Sequence, residues 1–325
     1  MKIFITGGTG NIGQYVSKAL LEAGHELRLL TRTPDRVAEL SGLPGVTPIE
    51  GNVLELERLE EGLTGCDAVI HIALGWGNDP YTMLMHDTRA TVFMLEAAER
   101  HSVKKFIYTS STAAMGPLDD GMDETRRLVP RTNYGGTKAA SEAFLLAFNQ
   151  YNDAQAVLGR KTGIKRNIIR PGYTFSNPAF ENGASQSDKR FRHIAEAAVA
   201  GQDIIVSEYD GSQFLSSGQI AQLYLKLAES ELDQEIFLAL GTQWVSWAEI
   251  ARLSIALVPG STSKVVAPEG DAARPIAKYN VSKMERVFGL SFRGDEELRE
   301  HIRWNIERAQ QAAAGQQPHN AYHVW

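Results

Sequence analysis

A glycine-rich turn near the start of the chain constrains its fold more than any other feature. The motif TGGTGNIG spaces Gly7, Gly10 and Gly13 three residues apart, after the apolar segment Lys2–Thr6 and before a helical pattern over Ile12–Ala23. Residues without a Cβ atom let the chain turn sharply and let a ligand approach the backbone. The N-terminus of the following helix offers free N–H groups and a partial positive charge. The motif therefore predicts a strand, a turn that binds a dinucleotide pyrophosphate, and a helix; a purely structural turn is the alternative.

Apolar segments alternate with helical patterns through the first half of the chain. The predicted strands after the first are Glu26–Thr31, Val46–Glu50, Ala68–Ala73, Phe106–Ser110 and Asn167–Arg170. The predicted helices between them are Leu54–Leu63, Thr82–His101 and Tyr134–Leu158. Such alternation predicts βαβ units and a parallel sheet, and strands that are apolar almost throughout indicate a sheet covered on both faces. We therefore predict an α/β fold: a Rossmann doubly wound parallel sheet with a smaller C-terminal substrate lobe.

The alternation of strands and helices changes after Pro171, and this change sets the predicted domain boundary. Residues 1–171 form the predicted NAD(P)-binding domain, to which a segment near 203–240 returns. Residues 172–202 and 241–325 form the predicted substrate-binding lobe and tail. A length of 325 residues suits such an α/β fold with an appended lobe.

Composition excludes several classes of function. The net charge of −6 gives no reason to expect binding to nucleic acid or to an anionic membrane. The single cysteine, Cys66, permits no disulfide within the chain, so a reducing cytoplasm is the expected location. Glycines interrupt the N-terminal apolar segment too early for a signal peptide, and no run approaches the roughly 20 apolar residues that span a bilayer. We predict no metal site, and a small molecule as the partner.

The end of the second predicted strand indicates which dinucleotide binds. Many NAD-binding chains carry an acidic residue about 20 residues after the glycine turn, where it holds the adenosine ribose. This chain has Thr31 and Arg32 there, with Arg36 one turn further on. A guanidinium matches phosphate geometry, and an arginine near this point can accommodate the 2′-phosphate of NADP. We therefore predict NADP rather than NAD; the alternative is a surface arginine beside a turn at Pro34.

A serine, a tyrosine and a lysine form a candidate catalytic set. Ser111 ends the fifth predicted strand in FIYTSST, and Tyr134 and Lys138 are four residues apart in NYGGTK, on one face of a predicted helix. A phenol with a pKa of about 10 is a poor base, but a nearby ammonium favours the phenolate. Tyr134 could then exchange a proton with a carbonyl or alcohol oxygen that Ser111 also binds, while hydride moves between that carbon and a nicotinamide. The alternative is a surface tyrosine beside a solvated lysine.

Together these residues resemble the extended short-chain dehydrogenase/reductase family, also described as NAD-dependent epimerase/dehydratases. The likeness is carried by TGGTGNIG, by GNV at 51–53, DAVIHIAL at 67–74, YTSSTAAMG at 108–116, YGGTK at 134–138 and IIRPGYTFSNP at 168–178. It implies cofactor contacts from Gly7, Thr9, Gly10, Asn11, Ile12, Gly13, Thr31, Arg32, Arg36, Asn52, Val53, Ala73, Tyr134, Lys138 and Pro171. It also implies catalysis by Ser111, Tyr134 and Lys138, with the lysine on the nicotinamide ribose. Asn52 replaces the acid usual at its position.

The chain departs from relatives that act on nucleotide sugars. Tyr173 follows the RPG turn where such enzymes usually have asparagine, and Ser212 and Gln213 replace a frequent Arg–Asp pair. The arginines that could substitute in holding a diphosphate, or could be plain surface charges, are Arg190, Arg192 and Arg274. The residues that could line an apolar substrate cleft, or could be ordinary packing, are Trp76, Tyr81, Met115, Tyr173 and Phe175.

Three functions fit the sequence. The first is an NADP-dependent reductase or dehydrogenase acting on a small carbonyl or alcohol. The second is an NAD-dependent epimerase or dehydratase of a sugar or nucleotide sugar, and the third is a non-catalytic NADP sensor; Arg32 counts against the second, and the Tyr134 and Lys138 pair against the third. The resemblance also implies a homodimer through a four-helix bundle. Phe144, Leu145 and Phe148 are the predicted apolar face of this bundle.

Overall fold

The computed structural model describes residues 1–34, 38–75, 79–148, 163–180, 183–185 and 187–316. Within these residues, seven strands form one parallel sheet in the order β3-β2-β1-β4-β5-β6-β7. They are β1 (Lys2–Thr6), β2 (Glu26–Thr31), β3 (Val46–Glu50), β4 (Ala68–His71), β5 (Lys105–Thr109), β6 (Lys165–Pro171) and β7 (Ile236–Ala239). The chain order reverses beside β1, as it does in a Rossmann doubly wound sheet. The predicted fold class is confirmed.

Side chains of β1 show why the sheet is buried on both faces. Ile3, Phe4 and Ile5 are all fully buried. Successive side chains of a strand point to opposite faces, so Ile3 and Ile5 join one apolar cluster and Phe4 joins the other. Burying one such side chain stabilises a fold by about 1.5 to 3 kcal/mol.

Helices cover both faces of the sheet and build the rest of the molecule. They are α1 (Gly13–Glu22), α2 (Ala38–Ser41), α3 (Leu56–Leu63), α4 (Pro80–Met83), α5 (Arg89–Arg100), α6 (Asn133–Ala147), α7 (Lys189–Ala200), α8 (Ser217–Glu229), α9 (Trp247–Leu257), α10 (Ser282–Phe288) and α11 (Asp295–Ala313). The final part of the predicted helix Tyr134–Leu158, from residue 149 onward, lies outside the described residues.

A π-helical turn over Leu84–Thr88 joins α4 to α5. The predicted helix over residues 82–101 is therefore helical almost throughout, but it contains a wider turn that the apolar pattern did not indicate. The helical run begins where Pro80 follows Asp79, whose carboxylate accepts the Thr82 N–H at 2.9 Å. A π turn inserts one residue into a helix and occurs frequently at functional sites.

Beyond β6 the chain builds a third apolar cluster. Phe191 of α7, Trp247 of α9 and Ile302 of α11 are buried in it. Helix α9 was not predicted, although its N-terminal signal is present in the sequence. Ser246 accepts the N–H of Glu249 at 3.0 Å, and the Glu249 carboxylate accepts the N–H of Ser246 at 2.7 Å, which together form a capping box.

The segment near 203–240 does not join the central sheet as one piece. Ile236–Ala239 pairs with β6. The short strand Ile204–Ile205 instead pairs with Val265–Val266 in a small separate sheet.

In the part of the chain that the structure describes, no helix is long and apolar enough to cross a membrane. Among the same residues, no group of three or more His, Cys, Asp or Glu side chains could hold a metal ion. Cys66 is buried, and burial raises the pKa of its thiol to about 11.

The predicted dimer face needs one correction. Phe144 has 54% of its surface exposed, but Leu145 is fully buried in the core against the sheet. Phe148 is partly buried against that same core. The homodimer stays a prediction, with Phe144 rather than Leu145 on the outer face of α6.

A buried ion pair fastens α6 to the sheet. The Arg170 guanidinium on β6 donates two hydrogen bonds to the Glu142 carboxylate, at 2.9 and 2.7 Å. Both side chains are at most 3% exposed. Ser110, directly after β5, also donates a hydrogen bond to Glu142. Because neither charge has water to solvate it, each depends on the other.

Removing one member of this pair should destabilise the whole domain. We expect Glu142→Gln to lower the free energy of unfolding by about 3 to 5 kcal/mol, because Arg170 is left buried without a counter-charge. Urea unfolding followed by circular dichroism measures the loss. The matched control is Glu231→Gln, since the Glu231 side chain is 77% exposed in its pair with Lys165. Equal losses in the two variants would contradict the structural role given to Glu142.

Candidate active site

A cavity of about 710 Å³ opens at the carboxyl ends of the central strands. Ligands of doubly wound sheets bind at this edge, where the chain order reverses. The site residues predicted from the sequence line this cavity, except Arg36, which lies outside the described residues. They are Gly7, Thr9, Gly10, Asn11, Ile12, Gly13, Thr31, Arg32, Asn52, Val53, Ala73, Ser111, Tyr134, Lys138 and Pro171.

Two glycines of the turn are required by close backbone contacts. Gly7 has φ of +70°, and a Cβ atom there would lie 2.5 Å from the backbone N of Ala73. A Cβ at Gly13 would lie 1.9 Å from the carbonyl oxygen of Gly7. At Gly10 a Cβ would be 3.3 Å from that same oxygen, a much looser fit. The turn is therefore packed tightly on the protein side at Gly7 and Gly13, and the less crowded Gly10 also lines the cavity.

The end of β2 supplies the residues that the sequence associated with the ribose. Thr31 is 5% exposed, and its hydroxyl accepts the N–H of Thr33 at 3.3 Å. Arg32 is exposed and lines the cavity. Asn52 lines it from the loop after β3, but its side-chain oxygen accepts the N–H of Leu54 at 2.8 Å. This side chain therefore helps to start α3, and Arg32 is the cationic residue among the described residues that line this end of the cavity.

The three candidate catalytic residues come from two elements. Ser111 follows β5 and caps a short 3₁₀ turn, where its hydroxyl accepts the N–H of Ala113 at 3.1 Å. Tyr134 is the second residue of α6, and Lys138 follows one turn later. The Lys138 Nζ lies 6.0 Å from the centre of the Tyr134 ring. All three line the same cavity as the glycine turn.

Lys138 is held by groups that the sequence did not indicate. Its Nζ lies 3.3 Å from Oδ1 of Asp87 and donates to the carbonyl oxygen of Thr109 at 3.1 Å. Burial works to lower the pKa of the ammonium, but Tyr108, Asp87 and Tyr134 nearby raise the pKa above its ordinary value. Lys138 is therefore a charged lysine at working pH, despite its burial.

Asp87 and its neighbour His86 are the functional candidates that sequence reasoning missed. Both belong to the π-helical turn, and His86 lines the cavity. A signal for Asp87 was present, because it stands four residues after Met83 and three before Ala90, two buried positions of the same helical run. A carboxylate on the buried stripe of a helix requires a partner.

For the aromatic and thioether residues that could line a cleft or could be ordinary packing, the structure favours packing at two positions. Met115 is fully buried and Phe175 is 1% exposed, so both belong to the apolar core. Tyr81 is 70% exposed and does not line the cavity, and Trp76 lies outside the described residues. Tyr173, next to the cavity residue Gly172, is 47% exposed and remains a candidate for contact with a substrate.

The arginines considered as diphosphate ligands have other contacts. Arg190 donates to Asp188 at 2.9 Å and to Asp210 at 2.7 Å, and its guanidinium carbon lies 4.0 Å from the Trp247 ring centre. Arg192 pairs with Glu196. Arg274 is exposed and donates to the Tyr209 carbonyl at 3.3 Å.

Gln213, at the position of the missing Arg–Asp pair, also has internal contacts. It is 3% exposed, donates to the carbonyl oxygens of Gly241 and Tyr279, and accepts the Tyr279 N–H at 2.6 Å. Its polar atoms hold neighbouring backbone in place.

The sheet order and the glycine turn are those of a Rossmann-fold protein. The model of the NAD dependent epimerase/dehydratase family matches residues 3–237, and the chain belongs to this family. An uncharacterised protein of Saccharomyces cerevisiae is 26% identical over 263 residues, covering 78% of this chain and 79% of that protein.

Two further matches differ in chemistry. A ketoreductase of Stigmatella aurantiaca that acts on a farnesylated dihydroquinoline oxide is 30% identical over 158 residues, or 46% of each chain. The UDP-glucuronic acid 4-epimerase of Bacillus cereus, solved with NAD, superposes with a TM-score of 0.78 at 17% identity. That superposition covers 99% of this chain and 100% of the epimerase. At such low identity the likeness to the epimerase concerns the fold.

The contact between Gly13 and Gly7 can be tested by one added methyl group. We expect Gly13→Ala to weaken dinucleotide binding by about tenfold or more, which corresponds to 1.4 kcal/mol, because the new Cβ pushes the Gly7 carbonyl out of position. Isothermal titration calorimetry with NADP and NAD measures the change. Gly136→Ala is the matched control, since a Cβ there has nothing within 4 Å. Undiminished binding by Gly13→Ala would contradict the role given to the turn.

Proposed function

We propose that the protein is an NADP-dependent reductase or dehydrogenase that interconverts a small carbonyl compound and its alcohol. The observation that carries the proposal is that the glycine turn and the residues Ser111, Tyr134 and Lys138 line the same cavity. The family supports dinucleotide chemistry in general. The identity to a ketoreductase over 46% of the chain supports carbonyl reduction in particular.

The cavity residues fit a dinucleotide at each of its parts. Gly7, Gly10 and Gly13 line the cavity beside the N-terminus of α1, where a pyrophosphate would bind. Arg32 would pair with a 2′-phosphate at the adenosine end, and Lys138 would hold the nicotinamide ribose. A bound nicotinamide supplies or accepts the hydride.

Tyr134 and Ser111 would bind the oxygen of the substrate and move its proton. Tyr134 donates its phenolic proton to that oxygen during reduction, and takes the proton back during oxidation. The hydroxyl of Ser111 already accepts the N–H of Ala113, so its own O–H can be donated to the same oxygen. Charge that develops on the oxygen is thereby stabilised from two sides.

A second candidate is epimerisation of a nucleotide sugar with a tightly held NAD. The fold of the Bacillus cereus epimerase, solved with NAD, favours it. Two features count against epimerisation. Arg190 is already paired with two carboxylates, and Tyr173 stands in place of the asparagine that is usual in enzymes acting on nucleotide sugars. A purely NADP-sensing role is disfavoured by the presence of both Tyr134 and Lys138 in the cavity.

Replacing the phenol should remove turnover and leave binding intact. We expect Tyr134→Phe to reduce kcat for carbonyl reduction by about 10² to 10⁴, the usual contribution of general acid catalysis. A spectrophotometric assay of NADPH consumption over a panel of carbonyl compounds measures turnover, and calorimetry measures NADP binding. Tyr81→Phe is the control, because Tyr81 is 70% exposed. Full turnover by Tyr134→Phe would overturn the acid assignment.

The cofactor preference depends on Arg32. We expect Arg32→Ala to weaken NADP binding by about tenfold or more and to leave NAD binding unchanged, because hydrogen bonds to a charged group contribute about 1.5 to 3 kcal/mol. Titration of both dinucleotides against wild type and variant tests this. The exposed Arg100, which pairs with Glu60, provides the control variant Arg100→Ala. Wild-type protein that binds NAD as tightly as NADP would show that the preference is wrong.

A further inference from the structure

Asp87 is a buried carboxylate directly behind the candidate catalytic helix. Its side chain is 0% exposed, and the side chain of Lys138 opposite is 3% exposed. The hydroxyl of Thr137 on α6 donates to Oδ2 of Asp87 at 2.9 Å, while Oδ1 lies 3.3 Å from the Lys138 Nζ. Both carboxylate oxygens therefore face α6, and the π-helical turn holds the carboxylate there.

Three buried titratable groups of the described residues, His71, Tyr108 and Tyr224, lie near Lys138 and carry no charge at neutral pH. Burial, followed by the charge of Lys138, lowers the pKa of His71 on β4 to about 3. Burial raises the pKa of Tyr108 on β5 to about 12, and its ring centre lies 5.0 Å from Nζ. Burial also raises the pKa of Tyr224 on α8, whose hydroxyl bonds to that of Thr109. Among the described residues, Asp87 is the carboxylate that pairs with Lys138.

This arrangement determines how much of the lysine charge Tyr134 experiences. A lone ammonium 6.0 Å from the centre of a phenol ring stabilises the phenolate. A carboxylate 3.3 Å from the same ammonium offsets part of the electric field of the ammonium. The offset is large because both side chains are buried, so little solvent screens the two charges. The pair as a whole acts on Tyr134 more like a dipole than like a net positive charge.

We propose that Asp87 is a positioning residue that offsets the charge of Lys138 at Tyr134, and that this offset makes the site favour carbonyl reduction over alcohol oxidation. The inference rests on the proposed function, since it assigns a preferred direction to the same acid. It also gives the π-helical turn a role, because this turn brings Asp87 to Lys138 and Thr137.

The pH dependence of the rate tests the proposal. In Asp87→Asn the lysine charge is no longer offset, so the phenol loses its proton at lower pH. In the pH profile of kcat/KM for reduction, the alkaline limb is the fall in rate at high pH. We expect this limb to move to lower pH by about half to one and a half pH units. At neutral pH, the ratio of oxidation rate to reduction rate should rise. Asp87→Ser is a second uncharged variant, which leaves room for a water molecule beside Lys138 if asparagine disturbs folding.

Thr137→Val provides the matched control. This change removes the hydrogen bond to Asp87 but keeps the carboxylate charge. It is expected to alter the rate without moving the alkaline limb. A limb that moves equally in Thr137→Val would overturn the charge argument and leave only a structural role for Asp87.

A titration independent of turnover separates the two proposals. Phenolate absorbance is measured against pH for wild type and for Asp87→Asn. The curve of Tyr134→Phe is subtracted from that of wild type, and the curve of the double variant Asp87→Asn/Tyr134→Phe is subtracted from that of Asp87→Asn. Each difference curve then contains the titration of Tyr134. We expect the Asp87→Asn difference curve to lie at lower pH than the wild-type curve. If wild type reduces no carbonyl compound, the proposed function fails and this titration still decides the role of Asp87. Superimposed difference curves would overturn the inference even for an active reductase.

Discussion

Two buried ion pairs along one face of α6 support the candidate active site. Tyr134, Lys138 and Glu142 follow one another at intervals of four residues. Lys138 pairs with Asp87 below the cavity, and Glu142 pairs with Arg170 on the sheet. Buried charges of this kind contribute little net stability, but each is costly to leave unpaired. The pairs therefore fix the rotation of α6 and its height above the sheet, which positions the Tyr134 phenol.

A second set of contacts joins the glycine turn to the chain that follows β6. Asn11 accepts a hydrogen bond from Ser176 at 2.6 Å and donates one to Ser217 at 3.2 Å. On α1, Tyr15 donates to the carbonyl oxygen of Asn177 at 3.0 Å. The backbone that faces the predicted pyrophosphate is thus held by residues more than 160 positions away. Both ends of the cavity are in this way set by packing between distant segments.

Features of the sequence that depend on local chemistry could be predicted. The glycine turn follows from steric limits, the strands from continuous apolar runs, and the Tyr134 and Lys138 pair from helical spacing. Features that depend on tertiary packing could not be predicted. The helical spacing of Asp87 from apolar neighbours indicated a buried position, but the sequence did not indicate the π turn or the pairing of Asp87 with Lys138. Met115 and Phe175 are residue types that can line an apolar substrate cleft, but they lie in the core because neighbouring elements cover them. For α9, the capping box at Ser246 and Glu249 was a usable signal that went unrecognised.

In the proposed reaction, hydride leaves the nicotinamide for a substrate carbon and the oxidised cofactor then leaves the protein. This transfer can be followed with NADPH that carries deuterium at the transferable position of the nicotinamide, with carbonyl compounds and nucleotide sugars supplied together. We expect deuterium on the carbinol carbon of an alcohol product, with one NADP formed for each alcohol. An epimerised sugar formed without net consumption of NADPH, and no label in any alcohol, would contradict the proposed reaction.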